Sequence, residues 1–337
     1  MKVYEGLSSI DDSMRGAVLT VGNFDGVHLG HQRILRTSHA LAHVSSAKVV
    51  AMTFEPHPLA VLRPDRAPRR LTPCDEKLRQ LAQAGADAVV KLKADRETLS
   101  LSAEDFVRQV LVRQIHPSYI VEGHDFGFGH NRQGNIDTLW ALSPKGGFQV
   151  HVVEPYRITL GPREHVIVSS TVIRDCLSRG EIEQAAACLG RPYALVGDVV
   201  HGEGQGTHLG YPTINLEVAE GQLIPGEGVY AGIAELGVAR SRAGKQGTYD
   251  LAAPVRGHDA ATVSLAAISL GHRPTLGGKK LVIEAFVLDK SGDWYGEHAR
   301  LDFVKRVRDQ RKFASRAELT DQIARDVEYV RRVVSLG

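Results

Sequence analysis

Two histidines three residues apart, His28 and His31, close the run Val18-Leu19-Thr20-Val21-Gly22-Asn23-Phe24-Asp25-Gly26-Val27-His28-Leu29-Gly30-His31. They share a face if the chain turns helical there. The apolar stretch before them reads as a buried strand, and Gly22, Gly26 and Gly30 permit tight turns and close backbone approach. Amides in the first turn of a following helix point toward a bound anion. Imidazole donors beside such amides suit the charge that builds on a phosphoryl group as it passes between two oxygens. An ordinary strand, turn and helix with incidental histidines would show the same short motif, so the surroundings decide. Ile34, Leu35, Ser38, Leu41 and Ala42 continue as an amphipathic helix, completing a beta-alpha unit of the kind that binds nucleotides. A zinc site fits poorly, because His-Glu-x-x-His is absent and no cysteine lies nearby.

The elements around this run define an α/β protein. Strands are expected at Ala17 to Val21, Lys48 to Phe54, Ala88 to Leu92, Tyr119 to Glu122 and Phe148 to Val153. Helices are expected at His31 to Val44, Asp75 to Ala84, Ala103 to Arg113 and Asn135 to Leu142, which gives a doubly wound parallel sheet whose ligand lies at the carboxyl ends of its strands. After Leu189, Gly190-Arg191-Pro192 breaks the helical pattern. Strand-like runs follow at Tyr193 to Val200, Val229 to Glu235, Thr262 to Ser269, Leu281 to Leu288 and Ala299 to Val307, as in an antiparallel sandwich or barrel. A last helix, about Arg316 to Val334, carries Leu319, Ile323, Val327 and Val330 on one face to cover it. Two domains, 1–189 and 190–337, fit the length of 337 residues. Gly237 to Ala260 reads as an exposed, mobile excursion.

Lysine plus arginine (41) nearly balances aspartate plus glutamate (39), which argues against a nucleic-acid or anionic-membrane partner. Cys74, Cys176 and Cys188 are odd in number and widely spaced, so neither a disulfide framework nor a Cys-x-x-Cys metal pair is expected. With no signal-peptide pattern and no spanning apolar stretch, the expected location is cytoplasmic. No oligomeric state follows from the sequence.

Further motifs complete a family pattern. Thr53-Phe54-Glu55-Pro56-His57-Pro58, Asp125-Phe126-Gly127-Phe128-Gly129 and Ser169-Ser170-Thr171-Val172-Ile173-Arg174 follow the first run in order, and Leu209-Gly210-Tyr211-Pro212-Thr213-Ile214-Asn215 lies in the second half. With them the chain resembles the bacterial bifunctional riboflavin kinase/FAD synthetase family over nearly its whole length. The resemblance implies an N-terminal Rossmann-like nucleotidyltransferase module, which adenylylates FMN with ATP, and a C-terminal riboflavin kinase β-barrel with a C-terminal helix.

By that resemblance His28 and His31 are catalytic donors to the phosphates, and Gly22, Asn23, Phe24, Gly30, Ser169, Ser170, Thr171 and Arg174 bind nucleotide. Arg174 would clamp the triphosphate. Ser-Ser-Thr alone reads equally well as a helix N-cap. Asp125, Phe126 and Phe128 form the flavin-side loop, with Phe128 expected to stack on the ring and Phe126 in the core. His57, between two prolines, reads as a turn residue. In the barrel, Thr213 and Asn215 alternate in an extended segment and would share Mg2+ with ATP. Glu284 is a carboxylate inside an apolar run, a placement that demands a partner or a task. The family makes it the base that takes the proton from the riboflavin 5′-hydroxyl. Gly204 and Gly206 would face the nucleotide, and Tyr230 and Arg308 the flavin.

Four features depart from the family pattern. The loop His201-Gly202-Glu203-Gly204-Gln205-Gly206-Thr207-His208 holds no lysine or arginine, Ser269 stands where asparagine is common, Gln310 where glutamate is common, and Gly127 where a larger residue often stands. They motivate an alternative, a monofunctional FMN adenylyltransferase whose barrel only binds flavin or regulates. A third reading, a nucleic-acid-associated relative with a similar His-x-Gly-His phosphate site, is disfavoured by the near-neutral charge.

Overall fold

The computed structural model describes residues 1–161, 164–202, 210–238, 242–243, 249–250, 262–275 and 278–335. Contacts divide the chain into two compact units, one mainly of residues 1–69 and 74–168, the other mainly of residues 169–238 and 262–335.

The first unit is built on a six-stranded parallel sheet: β1 (Lys2–Glu5), β2 (Val18–Val21), β3 (Val49–Glu55), β4 (Ala88–Lys93), β5 (Tyr119–Gly123) and β6 (Gln149–Val153). Their order is β1-β4-β3-β2-β5-β6. Every residue of β2 is buried, as a strand covered on both faces requires. Val18, Val49, Ala51, Val89 and Val121 pack on one face with Leu35 of α1 (Leu29–Ser45) and Leu78 of α2 (Cys74–Gln83). Leu19, Val21, Met52 and Ile120 pack on the other with Phe106 and with Leu139 of α3 (Ile136–Gly146). β1 is a strand that periodicity did not disclose; its four residues gain their place by pairing with β4 from Lys2↔Ala88 to Glu5↔Lys91. The helix expected over Ala103 to Arg113 widens to π winding at Phe106–Val112, where Phe106, Val107, Val110 and Leu111, paired at a spacing of four, all turn inward.

The chain runs from β2 one way to β3 and β4, and later the other way to β5 and β6, so the crevice at the carboxyl ends of β2 and β5 is the topological switch point. There β2 stays paired with β3 through Val21↔Met52 but leaves β5 after Leu19↔Ile120. Glu122 fills the break. Its side chain, 2% exposed, accepts the Val21 N–H at 2.6 Å.

In the second unit α4 (Ser170–Ser178) and α5 (Ile182–Leu189) precede a closed antiparallel barrel of β7 (Tyr193–Val200), β8 (Thr213–Val218), β9 (Gly228–Leu236), β10 (Thr262–Thr275), β11 (Gly278–Val287) and β12 (His298–Arg308). Around the barrel the order is β8-β11-β10-β9-β12-β7, with β7 paired to β8. The contacts thus group residues 169–189 with the barrel, whereas the change in sequence character falls after Leu189. One tie is visible: Arg306 on β12 donates to the carbonyl of Arg179, between α4 and α5, at 2.6 Å. α6 (Arg316–Val333) covers the barrel with Val330 packed among Ala231, Leu288 and Val334. Most of the excursion expected at Gly237 to Ala260 lies outside the described residues. Cys74, Cys176 and Cys188 form no disulfide, and burial pushes the Cys188 thiol up to about 11.

Gly232 sits at a β-bulge between β9 and β12, where an added Cβ would overlap the Asp302 carbonyl. Gly232→Ala should therefore lower the stability of the barrel by about 1–3 kcal/mol, the cost of overpacking, read as a lower denaturant midpoint with an unchanged slope. Burial raises the Glu122 carboxyl well above its ordinary value, with the Asp125 charge adding to the effect and the Val21 N–H opposing it. A carboxyl raised on folding binds its proton more tightly in the native state, so stability falls as pH climbs from the ordinary carboxyl value toward the raised one. Glu122→Gln should be more stable than the parent at alkaline pH, with the advantage shrinking toward pH ~4.5. Parallel melting curves for the two proteins across that range would contradict this.

Candidate functional site

The run from Gly22 to His31 bends through left-handed backbone at Phe24 (φ 48°), Gly26 (φ 84°) and Val27 (φ 38°). Phe24 and Val27 are each 1% exposed, so core packing holds a turn that their backbone disfavours. The turn delivers His28 as the N-cap of α1, where its Nδ1 accepts the His31 N–H at 3.4 Å. With Nδ1 accepting, a neutral His28 carries its proton on Nε2 and is a donor there. The His28 and His31 rings stack at 3.7 Å, and the Phe24 ring meets His31 edge-on at 5.1 Å. Gly30 makes room for the stack: a Cβ there would sit 3.1 Å from the His28 ring.

Asn23 is oriented from outside the run. His57 Nδ1 accepts from the Leu59 N–H at 3.1 Å, and its Nε2 lies 3.2 Å from Asn23 Nδ2, so the ring ties Asn23 to the start of the next helical turn. Below lies Lys77, a residue the sequence reading passed over. Its ammonium, 8% exposed, donates to Thr53 Oγ1 at 3.2 Å and to the Asn23 carbonyl at 3.5 Å, with Glu55 at 3.6 Å. Lys77 and Glu122 were both legible only as charges on otherwise apolar faces.

Phe128 is 6% exposed, packed between Phe106 (6.0 Å) and Phe126 (5.2 Å), so its faces meet protein rings rather than open space. Asp125 projects outward with its side chain 89% exposed. Gly127 is explained by Arg132, whose guanidinium lies 2.9 Å from where a Cβ at 127 would be and donates to the Asp125 carbonyl at 3.2 Å. Ser169 is the N-cap of α4, its Oγ accepting from Val172 N–H at 3.3 Å. Ser170, Thr171 and Arg174 follow on that helix, in the second compact unit.

The barrel carries a cavity of about 590 Å³ lined by Tyr211, Thr213, Ser269, Glu284, Arg308 and Gln310, among others. Register sets its chemistry. Glu284 on β11 stands directly opposite Asn215 of β8 on one side and Ser269 of β10 on the other. Asn215 is 9% exposed, and Gly202 must be glycine beside it, because a Cβ there would overlap the Asn215 carboxamide. Two departures from the family pattern meet: Gln310 Nε2 donates to Ser269 Oγ at 2.9 Å and to the Leu270 carbonyl at 3.0 Å. Arg308 is fixed by Asp326 of α6, which accepts from Nε at 3.0 Å and from Nη2 at 2.6 Å and also accepts from Gln322 at 2.7 Å. Sequence reasoning missed Asp326, a carboxylate on the apolar side of α6 that is 4% exposed.

Tyr230 is placed elsewhere. Fully buried, it donates to the Gly226 carbonyl and packs edge-on against Phe303 at 5.4 Å, so its hydroxyl serves the barrel wall. Gly204 and Gly206 lie outside the described residues. Among the described residues no helix is long and apolar enough to cross a membrane.

Comparison with known proteins agrees with both halves. The FAD synthetase family model matches residues 10–171, and the riboflavin kinase family model matches residues 189–334. The bifunctional riboflavin kinase/FMN adenylyltransferase of Escherichia coli K12 is 34% identical over 327 residues, covering 97% of this chain and 96% of that one. The enzyme of the same name from Bacillus subtilis 168 is 31% identical over 97% of this chain and 95% of its own. The crystal structure of a macrolide-efflux protein from Streptococcus pneumoniae superposes with a TM-score of 0.82 at 27% identity, covering 98% of this chain and 99% of that one. Two matched modules in this order, and full-length relatives above 30% identity, place the chain in the bifunctional riboflavin kinase/FMN adenylyltransferase family.

Proposed function

We propose that this chain phosphorylates riboflavin with ATP in the barrel and transfers AMP from a second ATP to FMN in the α/β unit. What supports the reading best is that Glu284 lines a cavity in register with Asn215, while His28 and His31 stand together at a sheet switch point.

In the barrel, Glu284 takes the proton from the riboflavin 5′-hydroxyl as that oxygen bonds to the γ-phosphorus and the bond to the bridging oxygen breaks, releasing ADP. Thr213 and Asn215 offer a hydroxyl and a carboxamide oxygen, hard neutral donors that suit a Mg2+ ion retaining substrate phosphates as ligands. When bound there, the ion offsets the phosphate charge. Arg308, held by Asp326, lines the same cavity and would face the flavin. In the α/β unit an oxygen of the FMN phosphate attacks the α-phosphorus of ATP and pyrophosphate leaves. His28 Nε2–H, His31 and the first amides of α1 donate to the phosphate oxygens as charge concentrates on them. Lys77 supports the Asn23 backbone and adds positive charge beneath the turn. Gly22, Phe24 and Gly30 shape the turn. Ser170, Thr171 and Arg174 keep the nucleotide-binding roles that their motif implies, and Asp125 the flavin-side role.

The two halves should separate by mutation. His28→Ala with His31→Ala should lower FAD formation from FMN by about 10²-fold or more while FMN formation from riboflavin persists, and Glu284→Gln should do the reverse. Chromatographic separation of riboflavin, FMN and FAD reads both; normal FAD synthesis by the double-histidine variant would sink the assignment. ATP turnover with riboflavin that survives Glu284→Gln unchanged would sink the kinase assignment. Asp326→Ala leaves a charged, half-buried Arg308 without its carboxylate, so the barrel should lose about 3–5 kcal/mol and the apparent riboflavin KM should rise.

A further inference from the structure

Glu122 has no task in the scheme above, yet it occupies the point where β2 leaves β5 to begin the phosphate turn. We propose, resting on the adenylyl-transfer reading, that Glu122 is a positioning residue for that reaction, acting through its hydrogen bond to Val21 to set where the Gly22–His31 turn starts. Three observations converge. The β2–β5 ladder stops at Leu19↔Ile120, whereas β2 remains paired to β3 through Val21↔Met52, so the Val21 N–H faces the gap and Glu122 takes it at 2.6 Å. The next residue, Gly22, donates its own N–H to the Met52 carbonyl at 3.0 Å, and the left-handed turn follows at once. A displacement of the Val21 amide would therefore reach His28 through only six intervening residues of chain.

The second half of the inference concerns charge. Glu122 is 2% exposed; the Val21 N–H favours its ionised form, and the Asp125 charge disfavours it. Burial and Asp125 both favour its protonated form, which would bridge the strand gap with a neutral group. That suits a floor beneath bound polyphosphate, where a second anion would oppose binding. Loss of the proton at high pH puts a negative charge there and weakens ATP binding in the adenylyl reaction. The coupling runs both ways: bound polyphosphate holds the proton on Glu122 more tightly.

The test uses the full chain with FMN, ATP and Mg2+, comparing the parent with Glu122→Gln and Glu122→Ala from neutral to alkaline pH, and with riboflavin phosphorylation by the same samples as the internal control. Glu122→Gln, which keeps an acceptor for Val21 and cannot ionise, should stay within about twofold of the parent at neutral pH. It should lack the alkaline rise in the KM for ATP that the parent shows. Glu122→Ala should lose about tenfold in kcat for FAD formation, a misplacement effect, with riboflavin phosphorylation unchanged in all three. Superimposable pH profiles of KM for the parent and Glu122→Gln overturn the proposal, as does Glu122→Ala with parental kcat. Should Glu122→Ala prove unfolded by circular dichroism, the Glu122→Gln profile alone decides. Absence of FAD formation by the parent at every pH is a different result, and it overturns the adenylyl-transfer reading itself.

Discussion

The phosphate-facing end of the α/β unit depends on a turn that the backbone resists and the core imposes. Phe24 and Val27 adopt left-handed conformations, at a cost of about 1–3 kcal/mol each for residues with a Cβ. Burying the two side chains to 1% exposure returns about 1.5–3 kcal/mol apiece, so the turn is held by packing that roughly matches its strain. Without it, His28 would not cap α1 and the two imidazoles would not stack at its first turn. The device works only at the switch point, because only there does a strand end with a gap beside it for a ligand.

The barrel solves a different problem by register. Antiparallel pairing sets Asn215, Glu284 and Ser269 side by side across three strands, so the row brings a carboxylate and a hydroxyl to the lining of one cavity with a carboxamide next in register. The surrounding polar groups are held in place: Arg308 pairs with Asp326, and the His272 ring hydrogen-bonds Glu227 at 2.8 Å. Gln310 shows how two departures from a family pattern become one feature. Its carboxamide donates to Ser269 and to the Leu270 carbonyl, a role that a carboxylate at 310 could not fill. Arg132 does the same for Gly127, filling from five residues away the space that a side chain at 127 would take.

Much of this was legible because the relevant strands are wholly apolar or cleanly alternating, and because glycines and imidazoles at fixed spacing have few other uses. β1 was hidden by its length of four residues; it is held by pairing with β4, with Val3 packed in one core cluster and Tyr4 in the other. The π winding at Phe106–Val112 was hidden because a helical pattern does not distinguish a turn of 3.6 residues from a wider one over so short a span. Phe128 and Tyr230 pack against other rings for a reason the sequence does not carry: an aromatic side chain near a motif serves a ligand or the core equally well by type, and only packing separates the two. The sharper lesson lies in Glu284. The reasoning that singled it out, a carboxylate within an apolar run, applies equally to Glu122 at the end of β5 and, by helical spacing among Ile323, Tyr329 and Val330, to Asp326 on α6. Both turned out to be buried, and each accepts hydrogen bonds from a group that shapes one of the two sites.

The central proposition is that one chain holds two working sites that act in succession. It is tested most directly by supplying the purified protein with ATP and Mg2+ and either riboflavin or FMN, and following all three flavins by chromatography over time. The proposition predicts FAD from both starting points, with FMN appearing before FAD when riboflavin is supplied. FAD from FMN alone, with riboflavin left untouched, would contradict it and leave the barrel a flavin-binding module; FMN accumulating with no FAD in either reaction would remove the role given to His28 and His31.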